Sequence, residues 1–230
     1  MKVLIFDTET TGLPETKIIS PDTLHLWPYV VQLSYVIYDS SINIITDDYD
    51  HIIRLPKDVT ISSESASIHG ITDEMSRLKG ESIHDVLMDF FYNLKNADMI
   101  VGHNIEFDIN MLRVELLRLI FDKSTPPKGL HRQKYNLYFI ANFKKVYCTM
   151  RETVSLCNIQ AIDKFGKSYT KYPKLIELHE KLFSSKPNNM HNSMVDILVT
   201  LRCFVKIQYD VDILTSCRRF KRFVGRYNIY

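Results

Sequence analysis

The stretch that most constrains this chain is Val3-Leu4-Ile5-Phe6, an unbroken apolar run that ends in two carboxylates two positions apart, Asp7 and Glu9. Four consecutive apolar residues, closed off by Gly12 and Pro14, have the signature of a short central strand buried on both faces. Along a strand, residues i and i+2 point to the same side, so Asp7 and Glu9 project together at its end while Thr8 points away. Two carboxylates so placed repel, and half-burying them is costly unless a cation or a shared proton compensates. A divalent ion such as Mg²⁺ or Mn²⁺ accepts oxygen ligands of this kind. A lone D-x-E also arises where a strand simply enters a solvated loop, so the remaining motifs carry the decision.

With 230 residues, 45% of them hydrophobic and 24% charged, the chain can bury a substantial core as one α/β domain with a small appendage. A net charge of +2 is too near zero to argue for nucleic acid, which leaves local clusters to do so. The four cysteines, Cys148, Cys157, Cys203 and Cys217, show neither C-x-x-C pairing nor the density of a disulfide scaffold, which fits a reducing compartment. No basic and apolar leader precedes the first strand and no apolar run reaches membrane-span length. The expectation is a soluble intracellular protein without membrane contact, cytoplasm and nucleus not being distinguished.

Further along, Val30–Tyr38 and Ile42–Leu55 read as strands two and three, antiparallel neighbours of the first. In Ile61–Thr72, Ser62 or Ser63 is placed to cap a short helix that Gly70 ends, with His69 at its last turn. A helix over 83–94 and a short strand at Met99–Val101 follow. Gly102-His103-Asn104 then leads into a helix whose apolar face is Ile105, Ile109, Leu112, Leu116 and Leu119. Asp108 lies in its first turn, where the helix dipole alone would accommodate a carboxylate. Tyr172–Phe183 reads as a short amphipathic helix carrying an exposed His179. In Met190–Leu201, Ser193 and Asp196 suggest a capping box, and Asp196 sits awkwardly between Val195 and Ile197. His191, five residues earlier, meets Asp196 at one site most easily from the loop before the helix.

Taken in order, Phe6–Leu13, Ile68-His69-Gly70-Ile71-Thr72, His103–Asp108 and the His191/Asp196 pair resemble the motifs of the DnaQ-like 3′-to-5′ exonucleases. The likeness is to the branch with four acidic residues and a histidine, which includes proofreading subunits of DNA polymerases. The resemblance runs from Lys2 to about Phe204, and four motifs in order are far more specific than any one of them. It implies an RNase H-like α/β fold, a mixed five-stranded sheet flanked by helices, with an exonuclease domain over 1–207 and a basic C-terminal extension over 208–230. It assigns Asp7, Glu9, Asp108 and Asp196 to two Mg²⁺ ions, for which Mn²⁺ can substitute, and makes His191 the general base. By the same resemblance Thr8, Thr10 and Leu13 meet the terminal nucleotide, Leu13 packing on the 3′ base. His69 and Asn104 then lie near the scissile nucleotide, and Asn104 is equally suited to capping a helix.

The implied reaction is removal of nucleoside 5′-monophosphates from the 3′ end of DNA, in proofreading or repair. The same chemistry on RNA is the second reading, and a non-catalytic nuclease-fold subunit the third. Chemistry agrees with the resemblance: a phosphodiester is anionic, and paired cations about 3.5–4 Å apart offset that charge and stabilise the departing oxygen. The implied partners are nucleic acid with a free 3′ end and a DNA polymerase or repair factor, and a homodimer is left open. Two segments exceed the family core. Residues 122–147 interleave Lys and Arg with Tyr and Phe, a composition suited to guiding a single strand, or equally to a solvated insertion packed on the domain. The tail Arg218–Phe223 is similar in character. Finally, Ala161-(four residues)-Gly166-Lys167-Ser168 loosely fits a phosphate-binding loop. It lacks the first glycine, and Pro173 cuts off the helix such a loop needs, so an NTPase is not inferred.

Overall fold

The computed structural model describes residues 1–121 and 145–230, so most of the basic and aromatic stretch over 122–147 lies outside the described residues. In chain order come β1 (Lys2–Thr10), a 3₁₀ turn at Pro21–Leu26, β2 (Val30–Asp39), β3 (Ile44–Ile52), α1 (Ser63–His69), α2 (Asp73–Lys79) and α3 (Ile83–Lys95). Then follow β4 (Met99–Gly102), α4 (Ile105–Phe121), β5 (Val146–Cys148), and two short helices, α5 (Thr149–Glu152) and α6 (Val154–Cys157). The chain ends with the hairpin β6 (Gln160–Ile162) and β7 (Ser168–Thr170), then α7 (Leu175–Phe183), α8 (Ser193–Tyr209), α9 (Ile213–Ser216) and α10 (Arg218–Tyr227).

The main sheet is mixed and five-stranded, in the order β3-β2-β1-β4-β5, with helices on both faces. This is the RNase H-like architecture that the motifs imply. β1 lies at its centre, antiparallel to β2 and parallel to β4, and β5 continues the parallel half. One expectation is corrected: β3 pairs with β2 and not with β1, because β4 occupies the other edge of β1.

The apolar run of β1 divides between two cores. Val3 and Ile5 pack with residues of α8, α7 and α10, while Leu4 and Phe6 pack with residues of α3 and α4. All four side chains are buried, which contributes roughly 1.5–3 kcal/mol each before chain entropy is counted. That gain anchors a strand which continues, still paired with β2, through Asp7 and Glu9 to Thr10; the acids therefore sit inside β1 and not in a loop after it. The pairing of β1 with β4 covers only Val3 to Ile5. Beyond Ile5 the parallel side of β1 is open, and a crevice at the carboxyl ends of parallel strands is where α/β sheets hold ligands.

Arg118 on α4 fixes the connection between β1 and β2. It donates to the backbone carbonyls of Leu24, Trp27 and Pro28 and to the carboxylate of Glu115, which itself accepts the Val30 N–H at 3.1 Å. Ser62 caps α1 and Gly70 ends it at φ 75°, as expected of a left-handed terminator. Two local expectations change. The cap of α8 is Asn192, whose side chain accepts the Val195 N–H, so Ser193 lies one residue inside the helix. His179 is fully buried: its Nδ1 is 2.8 Å from the Ser185 carbonyl, its Nε2 3.1 Å from Arg202, and its ring stacks on Tyr230. In the basic C-terminal segment, Ile213, Phe220, Phe223 and Ile229 join the same core as Val3 and Ile5.

Candidate active site

The alternation along β1 distributes its polar residues as it does its apolar ones. Asp7 and Glu9 continue the face of Val3 and Ile5, towards α8, and there they meet Asp196 from the first turn of that helix. Ligand oxygens of Asp7, Glu9 and Asp196 all lie within 4.8 Å of one another. Thr8 takes the opposite face, towards α4, and there it meets Asp108. A single oxygen, Oδ1 of Asp108, accepts both the Thr8 N–H (3.0 Å) and the Thr8 hydroxyl (2.7 Å). Asp108 is thus held at the site by Thr8, outside the tight group of three.

The start of α8 is fixed by three contacts. The Ser193 hydroxyl hydrogen-bonds the hydroxyl of Ser34, which pairs across the sheet with Asp7 and donates to Asp50 at 2.7 Å. Asn192 caps the helix. The loop before it turns at His191 with φ 68°, a left-handed conformation uncommon for a side-chain-bearing residue. That turn aims the His191 N–H at Oδ2 of Asp196, 3.2 Å away, and leaves the exposed imidazole without a hydrogen bond to any described residue.

Electrostatically the carboxylates are poorly compensated. Burial, followed by the charges of Asp108, Asp196 and Glu9, raises the pKa of Asp7 well above the ordinary 3.8. Burial, with Asp196 and Asp108, pushes Glu9 up to about 8. Burial raises Asp108 to about 7 against the hydrogen bonds from Thr8, and Asp196 to about 7 against the His191 N–H. No basic side chain among the described residues opposes these shifts, and Oδ1 of Asp196 is buried with no hydrogen-bond partner. An all-oxygen group with an orphaned buried acceptor suits a hard divalent cation.

This arrangement fixes the sign of a pH effect. Without metal, folded Glu9 retains its proton up to about pH 8, whereas the unfolded carboxyl releases it near 4.5. Between those values the folded state binds more protons than the unfolded one, so this contribution to stability falls as pH rises. A cation that binds the deprotonated group reverses the loss. The melting temperature of protein in EDTA is therefore expected to fall from pH 5 to pH 8 relative to an Asp196→Asn variant. Added Mg²⁺ or Mn²⁺ should raise it more at pH 8 than at pH 5. A cation effect equal at both pH values in thermal melts would refute the assignment.

These groups open into a cleft of about 690 Å³. Its walls include Asp7, Thr8, Glu9, Asp108, His191 and Asp196, together with Leu13, 82% exposed, and Asn104, left-handed at φ 62°. Thr10 and His69 are not on these walls. The Thr10 hydroxyl donates to the Gly12 carbonyl at 2.6 Å and shapes the turn after β1. His69 Nδ1 accepts the Ile71 N–H at 3.1 Å, and burial lowers its pKa against a backbone contact with Thr10. The cleft also has a wall to which the motifs assign no role: Phe107, inside the third motif, with Met190 and the run Tyr172–Ile176, which lie outside all of them. His103 fastens that run, with Nε2 donating to the Pro173 carbonyl at 3.0 Å and Nδ1 2.9 Å from the Thr149 hydroxyl. Burial lowers the His103 pKa to about 4, so the ring is a neutral strut.

The sequence model of the RNase T exonuclease family matches residues 4–204. Among solved structures, E. coli exonuclease I in complex with a dT13 oligonucleotide is similar over 91% of this chain and 42% of its own, with a TM-score of 0.61 and 18% identity. A zinc-bound form of the E. coli exonuclease I–single-stranded DNA complex matches over 98% and 43%, at 0.59 and 17%. Exonuclease I from the moderately thermophilic Methylocaldum szegediense matches over 98% and 45%, at 0.56 and 15%. At such identities the likeness is one of fold, and the chain spans less than half the length of these proteins. No curated protein matches the sequence significantly.

Proposed function

The chain belongs to the DnaQ-like exonuclease family, and from that premise we propose that it is a metal-dependent 3′-to-5′ exonuclease. In this reading it hydrolyses the terminal phosphodiester of a DNA strand and releases nucleoside 5′-monophosphates. The observation that carries the reading is the convergence of Asp7, Glu9 and Asp196 within 4.8 Å, uncompensated by any described basic side chain and flanked by an exposed histidine. Divalent ions held by these three carboxylates, with Asp108 alongside, would offset phosphate charge and stabilise the leaving 3′ oxygen.

The remaining work falls to side chains on the cleft wall. The His191 imidazole, free of other hydrogen bonds among the described residues, accepts the proton of the attacking water. Its own N–H, bonded to Asp196, keeps the base and a metal ligand in fixed relation. Thr8 orients Asp108 through two hydrogen bonds to one oxygen, leaving the other oxygen for the ion. Leu13, an apolar side chain 82% exposed at the cleft, covers the terminal base.

The test is digestion of 5′-labelled single-stranded DNA, 3′-mismatched duplex DNA and RNA in Mg²⁺ or Mn²⁺, with EDTA as control. A ladder shortening from the 3′ end of single-stranded DNA, absent in EDTA, is the expected result. Faster digestion of RNA would move the substrate to the ribonucleotide polymer, and no digestion of any strand would refute the reading.

A further inference from the structure

The stretch that loosely fits a phosphate-binding loop forms the hairpin β6–β7, with Gly166 at φ 81° in its turn. Nearly all of this hairpin is solvent-exposed, an unusual state for two short strands that are marginally stable unless something packs on them. Its exposed side chains include large apolar ones, Phe165 at 83%, Ile162 at 74% and Tyr169 at 48%, and Tyr172 just beyond it is 56% exposed. Between residues 163 and 174 stand four lysines and one aspartate, in a chain whose net charge is only +2. The Asp163 carboxylate is occupied within the turn, accepting the N–H groups of Phe165 and Lys167 at 2.8 and 2.9 Å. Lys171 pairs with Glu177. Lys164, Lys167 and Lys174 form no ion pair with a described carboxylate, and Lys164 lies over the Phe165 ring at 5.0 Å.

This surface is continuous with the cleft. Tyr172 and Lys174 belong to the cleft wall, and the His103–Pro173 hydrogen bond fastens the base of the hairpin to it. From Tyr172 to the turn the chain covers on the order of 20 Å, the reach of several nucleotides.

Resting on the function proposed above, we propose that the hairpin β6–β7 is a stacking platform for the single strand leading away from the nucleotide held in the cleft. Bases lie on Tyr169 and Phe165, and phosphates are met by Lys164 and Lys167. A polyanion with a π-face on every unit satisfies both the exposed rings and the unpaired lysines. A protein partner that covered the rings would leave those lysines to be neutralised separately. Because stacking accepts any base, the platform would not select sequence.

Two variants test it, Phe165→Ala/Tyr169→Ala and Lys164→Ala/Lys167→Ala, neither touching the cleft wall. Binding of a labelled single strand of about twenty nucleotides, long enough to cover the hairpin, is followed by fluorescence anisotropy in EDTA so that it is not consumed. Hydrolysis of the p-nitrophenyl ester of thymidine 5′-monophosphate, too small to reach the hairpin, is measured in Mn²⁺. The aromatic variant should bind the strand about ten- to a hundredfold more weakly. The lysine variant should lower the slope of log K against log salt by about 1.4. Both should hydrolyse the small ester as wild type does. Wild-type protein that does not bind the strand, strand binding unchanged in both variants, or equal losses on strand and ester would each overturn the proposal; unchanged binding would point to a protein partner. Failure of wild type to hydrolyse the ester in Mn²⁺, together with no digestion of any strand in the assay above, would refute the exonuclease reading, while the anisotropy arm still reads the hairpin.

Discussion

Asp7→Ala is expected to lower turnover by about 10⁴-fold or more while leaving the fold intact. Asp7 is the residue whose ionisation the site opposes most clearly, being buried and acted on by Asp108, Asp196 and Glu9 together. A side chain held against that repulsion contributes nothing to the metal-free fold, so its removal should leave thermal stability in EDTA equal to or above that of wild type. The two readouts must therefore move apart, with activity lost and stability kept. Steady-state assays on single-stranded DNA beside thermal melts would show this. A variant retaining full activity would remove β1 from the active site, and one that fails to fold would make Asp7 a structural residue.

His191→Ala should cost about 10²–10⁴ in kcat with little change in KM or in metal affinity. The separation follows from geometry. The contact between His191 and Asp196 uses the backbone N–H, which alanine keeps, while the imidazole has no other hydrogen-bond partner among the described residues. Loss of the side chain should therefore remove the proposed base without moving Asp196, the proposed metal ligand. Equal falls in metal affinity and kcat, read by calorimetry and single-turnover rates, would instead assign His191 to the metal site.

Much of this arrangement can be read from the chain because the relevant information is local. Val3 to Phe6 announce a central strand, Ile105 to Leu119 an amphipathic helix, and the spacing of Asp7 and Glu9 their common side. What could not be read depends on residues distant in sequence. The pairing of β3 is decided by β4, which takes the remaining edge of β1. His179 looks exposed on a short helix until Arg202 and Tyr230 enclose it. The bond from Thr8 to Asp108 spans one hundred residues and has no periodic signature. The cap of α8 is ambiguous in sequence for a different reason: Asn192 and Ser193 are both good caps, and the hydroxyl of Ser34 engages the second. Thr10 and His69 carry motif resemblance, and their contacts, with the turn after β1, the end of α1 and, for His69, the backbone of Thr10, have no local signature in the sequence.

The alternation of β1 has a further consequence for how such a chain can change over evolutionary time. The same two-residue period that sends Val3 and Ile5 into one core and Leu4 and Phe6 into the other also sends Asp7 and Glu9 to Asp196 and Thr8 to Asp108. Deleting one residue ahead of Asp7 would exchange the faces of every later side chain in the strand. Core and chemistry would fail together, with no intermediate in which one is spared. Length changes are thus barred from these few residues, and divergence among chains of this kind is pushed outward to the helices, the hairpin and the loops around the cleft.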